Sequence, residues 1–304
     1  MTHQLPESSR VVAVMLHPTR PEALDTAVDF IRQVTGLGIR CVLDDDDRAA
    51  VVEALEGQVE VGSLAGADQL ELVVIFGGDG SILRAAELAL HREVPLLGVN
   101  LGHVGFLAEL EASQVPDLVR QVAERSYAVE KRLTLAVEVH DPDGGLRWSS
   151  FAVNEVSLEK VARERMVEVL ALVDGRPLSR WGCDGVLVST PTGSTAYAFS
   201  AGGPVMWPDV EAIELVPLSA HALFARPSVL SPTSTVELEL SLERDVPASV
   251  WADGARTVDA VPGSRIVVRR NQHDLLIARL SEQPFTTRLV KKFALPVEGF
   301  RGRR

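Results

Sequence analysis

A short glycine-rich turn in this chain carries a single carboxylate. The sequence Gly77-Gly78-Asp79-Gly80-Ser81 stands between an apolar run and a helical pattern. Glycines let the backbone turn sharply and let a ligand approach it closely, and the free amides at a helix start favour phosphate. A carboxylate normally repels phosphate, so Asp79 suits this place if it acts as a base or meets a metal ion. The alternative is that Asp79 only caps the helix.

A second motif is a long stretch of small and hydroxylated residues with little charge. It begins at Cys183-Asp184-Gly185 and contains Thr190-Pro191-Thr192-Gly193-Ser194-Thr195-Ala196-Tyr197. Its hydroxyls and backbone amides could bind a dinucleotide, and Tyr197 could stack on a base. A surface loop rich in serine and threonine is the alternative, although such loops seldom keep so little charge over so many residues.

A third motif follows the apolar run over residues 94–99. Asn100 is followed by Gly102, His103 and Gly105, and loops at the carboxyl ends of parallel strands are where α/β sheets bind ligands. This loop and the glycine-aspartate turn therefore suggest one shared crevice. For His103 a plain turn and a functional role are equally compatible with the sequence.

Two weaker features lie further along the chain. Asn154-Glu155 interrupts an apolar strand and could bind a base and a ribose, although an ordinary edge pair would look the same. His221 and Arg226 stand in a neutral stretch. Arg226 could contact phosphate, and a structural salt bridge would explain it equally well.

The elements that position these motifs change in character along the chain. Apolar strands alternate with helical patterns up to about residue 131, which predicts a parallel, Rossmann-like sheet covered by helices. The predicted strands are 11–16, 38–43, 72–76 and 94–99, and the predicted helices are 21–37, 81–91 and 116–126. Asp44 to Asp47 form a run of like charges that predicts a solvated loop.

From about residue 132 the periodicity is that of half-buried strands. Apolar and polar residues alternate over 133–139, 151–158, 166–173, 236–242 and 265–269, separated by turn signals such as Asp174-Gly175. This pattern predicts antiparallel sheets. The chain is therefore expected to fold as an α/β domain over residues 1–131 and a β-rich domain over residues 132–281.

Composition excludes several classes of function. The net charge is -12 and the pI about 5.1, which disfavours binding to a nucleic-acid backbone. Two cysteines cannot build a disulfide framework, the first ten residues do not resemble a signal peptide, and no apolar run suits a membrane span. We therefore expect a cytoplasmic protein without a membrane partner. The chain also lacks a Walker loop and the metal-ligand spacing of a zinc site.

Taken in order, the motifs resemble those of the NAD kinase family. The resemblance runs from about residue 72 to residue 227, and Asp253-Gly254 and residues 284–296 extend it. Lipid kinases and phosphofructokinases use turns similar to the glycine-aspartate turn, whereas the run from Thr190 to Tyr197 is highly specific. The resemblance implies phosphorylation of the 2′-hydroxyl of the adenosine ribose of NAD, with ATP or polyphosphate as donor and Mg²⁺ bound mostly by phosphates.

The resemblance also implies roles for individual residues. Asp79 would be the general base, Gly80 would lie against the ligand and Arg84 would approach phosphate. Asn154 and Glu155 would hold the adenosine part of NAD. The residues that complete the dinucleotide site would be Arg165, Asp184, Thr195, Ala196, Tyr197, Ala198, Phe199 and Ser200, with Asn100, His221 and Arg226 as further candidates. No protein ligand for a metal is predicted.

The family fold implies that residues 282–304 return to the first domain and that the protein is a homodimer or homotetramer. Some family members carry a basic residue where this chain has Gly182, so Arg180 or a neighbouring subunit would have to supply that phosphate contact. Two other functions remain open. One is a lipid or sugar kinase that shares the turn, and the other is a dinucleotide-binding regulatory module without catalysis, against which the carboxylate of Asp79 argues.

Overall fold

The computed structural model describes residues 10–67, 69–102, 105–108, 110–111, 115–162, 165–244, 246–281 and 284–297. The described residues up to Lys131, together with those from Leu275 onward, form one unit, and Arg132–Asp274 form a second. The return to the first unit begins at Leu275 rather than near residue 282. The reason is that the last strand of the chain pairs within the sheet of the first unit.

The first unit is built on an eight-stranded sheet. The strands are β1 (Val11–Leu16), β2 (Arg40–Leu43), β3 (Gly62–Ser63), β4 (Leu72–Phe76), β5 (Leu96–Asn100), β6 (Leu110–Glu111), β7 (Ala128–Arg132) and, at the end of the chain, β20 (Leu275–Arg279). Their described pairings are parallel, and the strand order is β3-β2-β1-β4-β5-β20-β7, with β6 also beside β5. The predicted parallel α/β sheet is confirmed.

Five α-helices lie in the described part of this unit. They are α1 (Pro21–Gly36), α2 (Asp45–Ala54), α3 (Asp79–Arg92), α4 (Val115–Glu124) and α6 (Phe285–Phe293). In α1 the buried side chains Ala27, Phe30, Ile31 and Val34 recur at helical spacing and form its apolar face, and the ring of Phe30 packs on Phe76 of β4. No helix in the described parts of the chain is long and apolar enough to cross a membrane.

The run of four aspartates is a helix start and not the solvated loop that its charge pattern predicts. Asp44 is the N-cap of α2, and its carboxylate accepts a hydrogen bond from the backbone N–H of Asp47 at 2.8 Å. The other three aspartates occupy the first turn, where the helix dipole favours negative charge. The same charges that repel one another thus stabilise a helix terminus.

The second unit consists of two six-stranded sheets whose described pairings are antiparallel, with one buried apolar core to which both contribute. One sheet contains β8 (Leu135–His140), β9 (Leu146–Ala152), β11 (Val167–Val173), β12 (Arg176–Cys183), β16 (Val236–Leu240) and β19 (Arg265–Arg270). The other contains β10 (Glu155–Lys160), β13 (Gly185–Ser189), β14 (Ile213–Leu218), β15 (Ser228–Leu230), β17 (Ala248–Ala252) and β18 (Arg256–Ala260). A 3₁₀ turn at Gly193–Thr195 and the short helix α5 (Tyr197–Ser200) follow β13.

The strand predicted over residues 151–158 is in fact two strands. β9 pairs with β8 in the first of these sheets, whereas β10 pairs with β13 and β17 in the second. The chain crosses from one sheet to the other at Val153 and Asn154. The Asn154-Glu155 pair therefore marks a change of sheet, which explains why polar residues interrupt an apolar pattern there.

Candidate active site

Asp79 is the first residue of α3, and its carboxylate is held by a neighbouring loop. Gly78 is the N-cap of the helix. The carboxylate accepts hydrogen bonds from the backbone N–H groups of Phe106, Leu107 and Ala108 at 2.9, 3.0 and 3.4 Å. Asp79 is thus tied to the loop that follows β5, which is a different arrangement from a carboxylate that caps its own helix.

Gly105 makes this contact possible. A Cβ atom at this position would lie 2.3 Å from Oδ1 of Asp79, a separation that no side chain could accept. The glycine spacing seen in the sequence therefore reflects a close approach between the loop and the carboxylate. His103, in the same loop, lies outside the described residues.

The other predicted residues of the first unit lie around the same edge of the sheet. Gly80 is exposed beside Asp79, and Asn100 is buried at the end of β5. The guanidinium of Arg84 donates a hydrogen bond to the carbonyl oxygen of Leu16, at the end of β1. The carboxylate of Asp47 accepts the backbone N–H of Leu16 at 2.8 Å. The side chains of Arg84 and Asp47 are therefore both bonded to the backbone of Leu16, at the end of β1.

In the second unit, Asp253 organises the crossing that carries Asn154 and Glu155. Its side chain is only 1% exposed and accepts the backbone N–H groups of Val153 and Asn154 at 3.0 and 2.7 Å. The guanidinium of Arg256 lies 2.6 Å from its other oxygen and stacks on a phenylalanine ring of β9. A buried charge with this many donors is well satisfied, so the crossing is held firmly.

Glu155 is buried, with 8% of its surface exposed. Burial, helped by the negative charge of Asp253, raises the pKa of its carboxyl to about 7, while the backbone N–H of Tyr197 opposes this shift. Among the described residues its Oε2 atom has no hydrogen-bond partner. Because buried polar atoms normally find partners, this oxygen is suited to receive a ligand hydroxyl.

The run from Thr190 to Ser194 forms a scaffold beneath the site. The hydroxyl of Thr190 donates to the carbonyl oxygen of Val153 at 2.6 Å and accepts the N–H of Gly193 at 3.0 Å. The hydroxyl of Ser194 donates to Pro191 O at 2.7 Å. Both side chains are fully buried, so these hydroxyls are not available to a ligand, contrary to the expectation from the sequence.

The position of Gly193 explains why a glycine is required in this run. A Cβ atom there would lie 2.0 Å from the carbonyl oxygen of Asn154. The same carbonyl oxygen accepts the backbone N–H of Thr190 at 2.9 Å. The 3₁₀ turn therefore packs directly on the backbone of the Asn154-Glu155 crossing, and only glycine fits between them.

The segment from Thr195 to Ser200 presents side chains to the surface. Tyr197 is 39% exposed, Phe199 is exposed to a similar extent, and Ser200 is also exposed. Ala198 is different, because its methyl group is fully buried against Leu187 and Val216. Tyr197, Phe199 and Ser200 can thus contact a ligand with their side chains, whereas Ala198 can contribute only its backbone. Thr195 and Ala196 are partly buried between them.

A pocket of about 460 Å³ opens beside this segment. The residues that line it are Glu159, Lys160, Asp184, Tyr197, Ser200, Ala201, Pro217, Leu218 and Ser219. Lys160 Nζ lies 2.6 Å from Oδ1 of Asp184. This ion pair, aided by a hydrogen bond from Ser219, lowers the pKa of Asp184. The pocket brings together three residues predicted from the sequence, namely Asp184, Tyr197 and Ser200.

The remaining predicted cations lie elsewhere on the second unit. Arg180 forms an ion pair with Glu168 at 3.2 Å, while the cation that contacts Asp184 is Lys160. His221 is exposed, and its backbone N–H donates to the carbonyl oxygen of Gly182 at 2.9 Å. Arg226 is exposed along the same surface segment, and Arg165 is exposed in the connection between β10 and β11.

Sequence reasoning assigned no role to two residues that the structure makes prominent. Asp253 was visible only as part of an Asp253-Gly254 turn, and its positive φ of 53° fits such a turn. Lys160 stands at the end of a strand beside Glu159, and nothing in its spacing relates it to Asp184. Both contacts join segments that are distant in sequence, and a single sequence carries no signal for them.

These features define a class of two-part proteins, in which an α/β unit carries a glycine-aspartate turn and an antiparallel β unit carries a pocket of charged and hydroxyl groups. The chain matches the family model described as ATP-NAD kinase N-terminal domain over residues 12–127. It matches the model described as ATP-NAD kinase C-terminal domain over residues 153–280. This chain belongs to the NAD kinase family.

Similar proteins cover nearly the whole chain. A protein of Cutibacterium acnes named NAD kinase is 57% identical over 294 residues, which cover 96% of this chain and 92% of that protein. A protein of Thermobifida fusca with the same name is 48% identical and covers 97% of this chain and 93% of its own length.

Solved structures with the same fold include an NAD kinase from Archaeoglobus fulgidus in complex with ATP. It has a TM-score of 0.69 and 26% identity, and it covers 94% of this chain and 100% of that one. Yeast NADH kinase complexed with NADH has a TM-score of 0.85 over 97% of this chain and 90% of that one. At 21% identity, this second likeness concerns the fold alone.

Proposed function

We propose that this enzyme transfers a phosphoryl group from ATP or another donor to the 2′-hydroxyl of the adenosine ribose of NAD, giving NADP. The observation that carries this proposal is the site around Glu155, where a buried carboxyl with an oxygen that has no partner among the described residues lies beside the exposed Tyr197. The chain that builds it is 57% identical to a protein named NAD kinase over nearly its full length. A lipid or sugar kinase and a regulatory module without catalysis are not favoured.

Glu155 and Asn154 hold the adenosine part of NAD in this proposal. A carboxylate accepts hydrogen bonds from hydroxyl groups, and the open Oε2 of Glu155 gives a ribose hydroxyl a buried acceptor. Tyr197 offers a ring on which a base can stack. Thr195, Ala196, Phe199, Ser200 and Asp184 complete the dinucleotide site. Asp253 keeps the crossing in place through its bonds to backbone N–H groups.

Asp79 is the general base for the transfer. As the ribose 2′-oxygen attacks the terminal phosphorus of the donor, its proton passes to the carboxylate of Asp79, and the bond from phosphorus to the leaving phosphate oxygen breaks. Among the described contacts, Oδ2 of Asp79 accepts one N–H, from Phe106, so this oxygen keeps a lone pair for the proton. General-base catalysis of this kind is typically worth about 10²–10⁴-fold.

The donor phosphates are held by amides and cations rather than by a metal cage built from the protein. The start of α3 presents the backbone N–H groups of Asp79 and Gly80, whereas those of Ser81 and Ile82 donate to the carbonyl oxygen of Gly78. Arg84 lies on the same helix. No three histidine, cysteine or acidic side chains in the described part of the chain are grouped to hold a metal ion. A Mg²⁺ ion carried mostly by the phosphates of the donor would offset negative charge during transfer.

We also propose that copies of this chain associate and work in the cytoplasm. Leu223 and Phe224 expose large apolar side chains, and exposed apolar groups of this size suit a protein interface. Cys41 and Cys183 are buried and unpaired, which suits a reducing compartment. Light scattering on the purified protein should give a mass of at least two chains, and Leu223→Asp should lower it. A monomer at micromolar concentration would contradict this.

One assay tests the enzymatic proposal. The purified protein is incubated with NAD, Mg²⁺ and either ATP or polyphosphate, and NADP is measured by a dehydrogenase specific for it. We expect NADP to form with at least one donor and to require the divalent cation. If neither donor yields NADP while NAD still binds, the protein is a dinucleotide-binding module. If NAD does not bind at all, the assignment of the substrate is wrong.

A further inference from the structure

Two buried arginines from the end of the chain contact the loop that holds Asp79. Arg288 of α6 donates a hydrogen bond to the carbonyl oxygen of Phe106 at 2.7 Å. Arg279 of β20 donates one to the carbonyl oxygen of Leu107 at 3.0 Å. The two residues are only 6% and 4% exposed. Both cations are thus withdrawn from water and donate to the backbone of this loop, and Nε of Arg279 also pairs with the carboxylate of Glu130 at 3.0 Å.

Each arginine is connected to Asp79 through a single peptide group. The peptide between Phe106 and Leu107 accepts from Arg288 with its oxygen and donates to Asp79 with its N–H. The next peptide accepts from Arg279 and donates to Asp79 through Ala108 N–H. A cation at a carbonyl oxygen polarises the peptide, so its N–H becomes a stronger donor. The two arginines therefore act on the carboxylate both by position and by charge.

Aromatic packing against α6 also fixes this loop. The ring of Phe106 lies 5.7 Å from the ring of Phe285 and 6.0 Å from the ring of Phe293, measured between centroids. Both partners belong to α6. Aromatic pairs at this distance stabilise a contact beyond the area they bury. The loop consequently cannot shift without disturbing the C-terminal helix.

We propose that Arg288 and Arg279 are positioning residues for phosphoryl transfer, and that the C-terminal segment sets the place of the Asp79 carboxylate through the peptide groups of residues 106–108. This inference rests on the proposed role of Asp79 as general base. A displacement of about 1 Å in a catalytic group can lower the rate by roughly 10²-fold. The arginines supply the rigidity that prevents such a displacement.

Three variants of α6 test the inference in the full-length enzyme. Arg288→Met removes the donor, Arg288→Lys keeps a cation that can reach the same carbonyl, and Lys291→Met removes an equal charge from an exposed position of the same helix. We expect Arg288→Met to lower kcat by about 10- to 100-fold with KM for NAD changed less than about threefold. Arg288→Lys should recover most of kcat, and Lys291→Met should match the parent enzyme.

A double-mutant cycle separates positioning from a general loss of structure. In an Asp79→Asn background no base remains to be positioned, so Arg288→Met should change the residual kcat by less than about twofold. A sensitive cycling assay for NADP measures this residual rate. Loss by the same factor in both backgrounds would show that Arg288 acts independently of Asp79 and would overturn the inference. An equal loss in Lys291→Met would also overturn it.

A further variant, at another residue of α6, covers the case in which Arg288→Met does not fold. Phe293→Leu removes the aromatic contact with Phe106 but keeps an apolar side chain at the end of α6. It should lower kcat with KM for NAD unchanged, and an unchanged kcat in this folded variant would count against the inference. Failure of the proposed function looks different, because the parent enzyme would then form no NADP. A normal kcat in Asp79→Asn would remove the role of Asp79 and this inference with it.

Discussion

Glu155 and Asp253 are two buried carboxyl groups whose charges oppose each other. Asp253 accepts the backbone N–H groups of Val153 and Asn154 and bonds to the guanidinium of Arg256. Among the described contacts Glu155 has no cation of this kind, and burial together with the charge of Asp253 raises its pKa to about 7. One carboxylate thus holds the backbone, and the other keeps an oxygen that has no partner among the described residues.

This relationship predicts that NAD binding depends on pH. An ionised Glu155 is the better acceptor for ribose hydroxyls, so the affinity for NAD should rise as the pH increases through about 7. Glu155→Gln should abolish this rise and weaken binding at pH 8 by ~1.5–3 kcal/mol. Isothermal titration with NAD at pH 6, 7 and 8 measures both effects. Glu239→Gln, on a strand of the other sheet, is the control, and equal pH dependence in parent and Glu155→Gln would contradict the prediction.

Asp79→Asn tests the base. The amide keeps the size of the side chain but cannot accept the proton, so kcat should fall by about 10²–10⁴-fold. NAD affinity should change far less, because the amide can still form a hydrogen bond with the ribose hydroxyl. Steady-state kinetics, with circular dichroism to verify folding, measure this. A folded Asp79→Asn enzyme with near-normal turnover would leave the chemistry to another group.

Tyr197 is predicted to act through its ring. The side chain is exposed beside the pocket, and stacking on a base is worth roughly 1–3 kcal/mol. Tyr197→Phe should therefore keep most of the NAD affinity, whereas Tyr197→Ala should lose it by that amount. Binding measured by fluorescence or calorimetry distinguishes the two variants. Equal losses in both would point to the phenol hydroxyl instead of the ring.

Glu214 predicts a change of stability with pH. It is fully buried on β14, neither of its oxygens has a partner among the described residues, and burial raises its pKa to about 7. The folded state keeps the proton that the unfolded state loses above the ordinary glutamate pKa of 4.5, so stability falls as the pH rises from about 4.5 to about 7. The loss is of order 3 kcal/mol at most.

Glu214→Gln should remove this loss. Urea unfolding at pH 5 and pH 8 should show a larger difference between the two pH values in the parent protein than in the variant. Glu243→Gln, which changes an exposed carboxylate, is the matched control and should follow the parent protein. If Glu214→Gln follows the parent as closely as the control does, Glu214 does not titrate in this range.

Local patterns predicted several elements of the first unit because the spacing of apolar residues within a segment reports its buried face, although α2 was predicted as a loop. β1 and β4 have the predicted bounds, and α1 ends one residue before the predicted end. The pattern over residues 151–158 failed because two strands of opposite sheets follow each other with only Val153 and Asn154 between them. Alternation reports burial on one face, and it carries no information about which sheet a strand joins.

The residues of the candidate site also fall into two groups, those that a local motif reveals and those that act through distant segments. Asp79, Glu155 and Tyr197 stand in motifs that are continuous in sequence, and they could be selected from it. Asp253 and Arg288 act through backbone groups that lie 99 residues or more away along the chain. Their effect depends on pairings between distant segments, and no local spacing encodes such pairings.

The place of β20 between β5 and β7 has a consequence for synthesis of the chain on the ribosome. Leu275–Arg279 emerge only after the whole second unit has been made. Until then β6 can cover only the end of β5, the part of β5 that pairs with β20 stays uncovered, and the nascent first unit presents an incomplete sheet whose edges are open to pairing with other chains. Closing the gap requires a contact between residues far apart in sequence, which slows folding. A chain that stops before residue 275 would therefore lack the strand that joins β5 to β7 in the first unit.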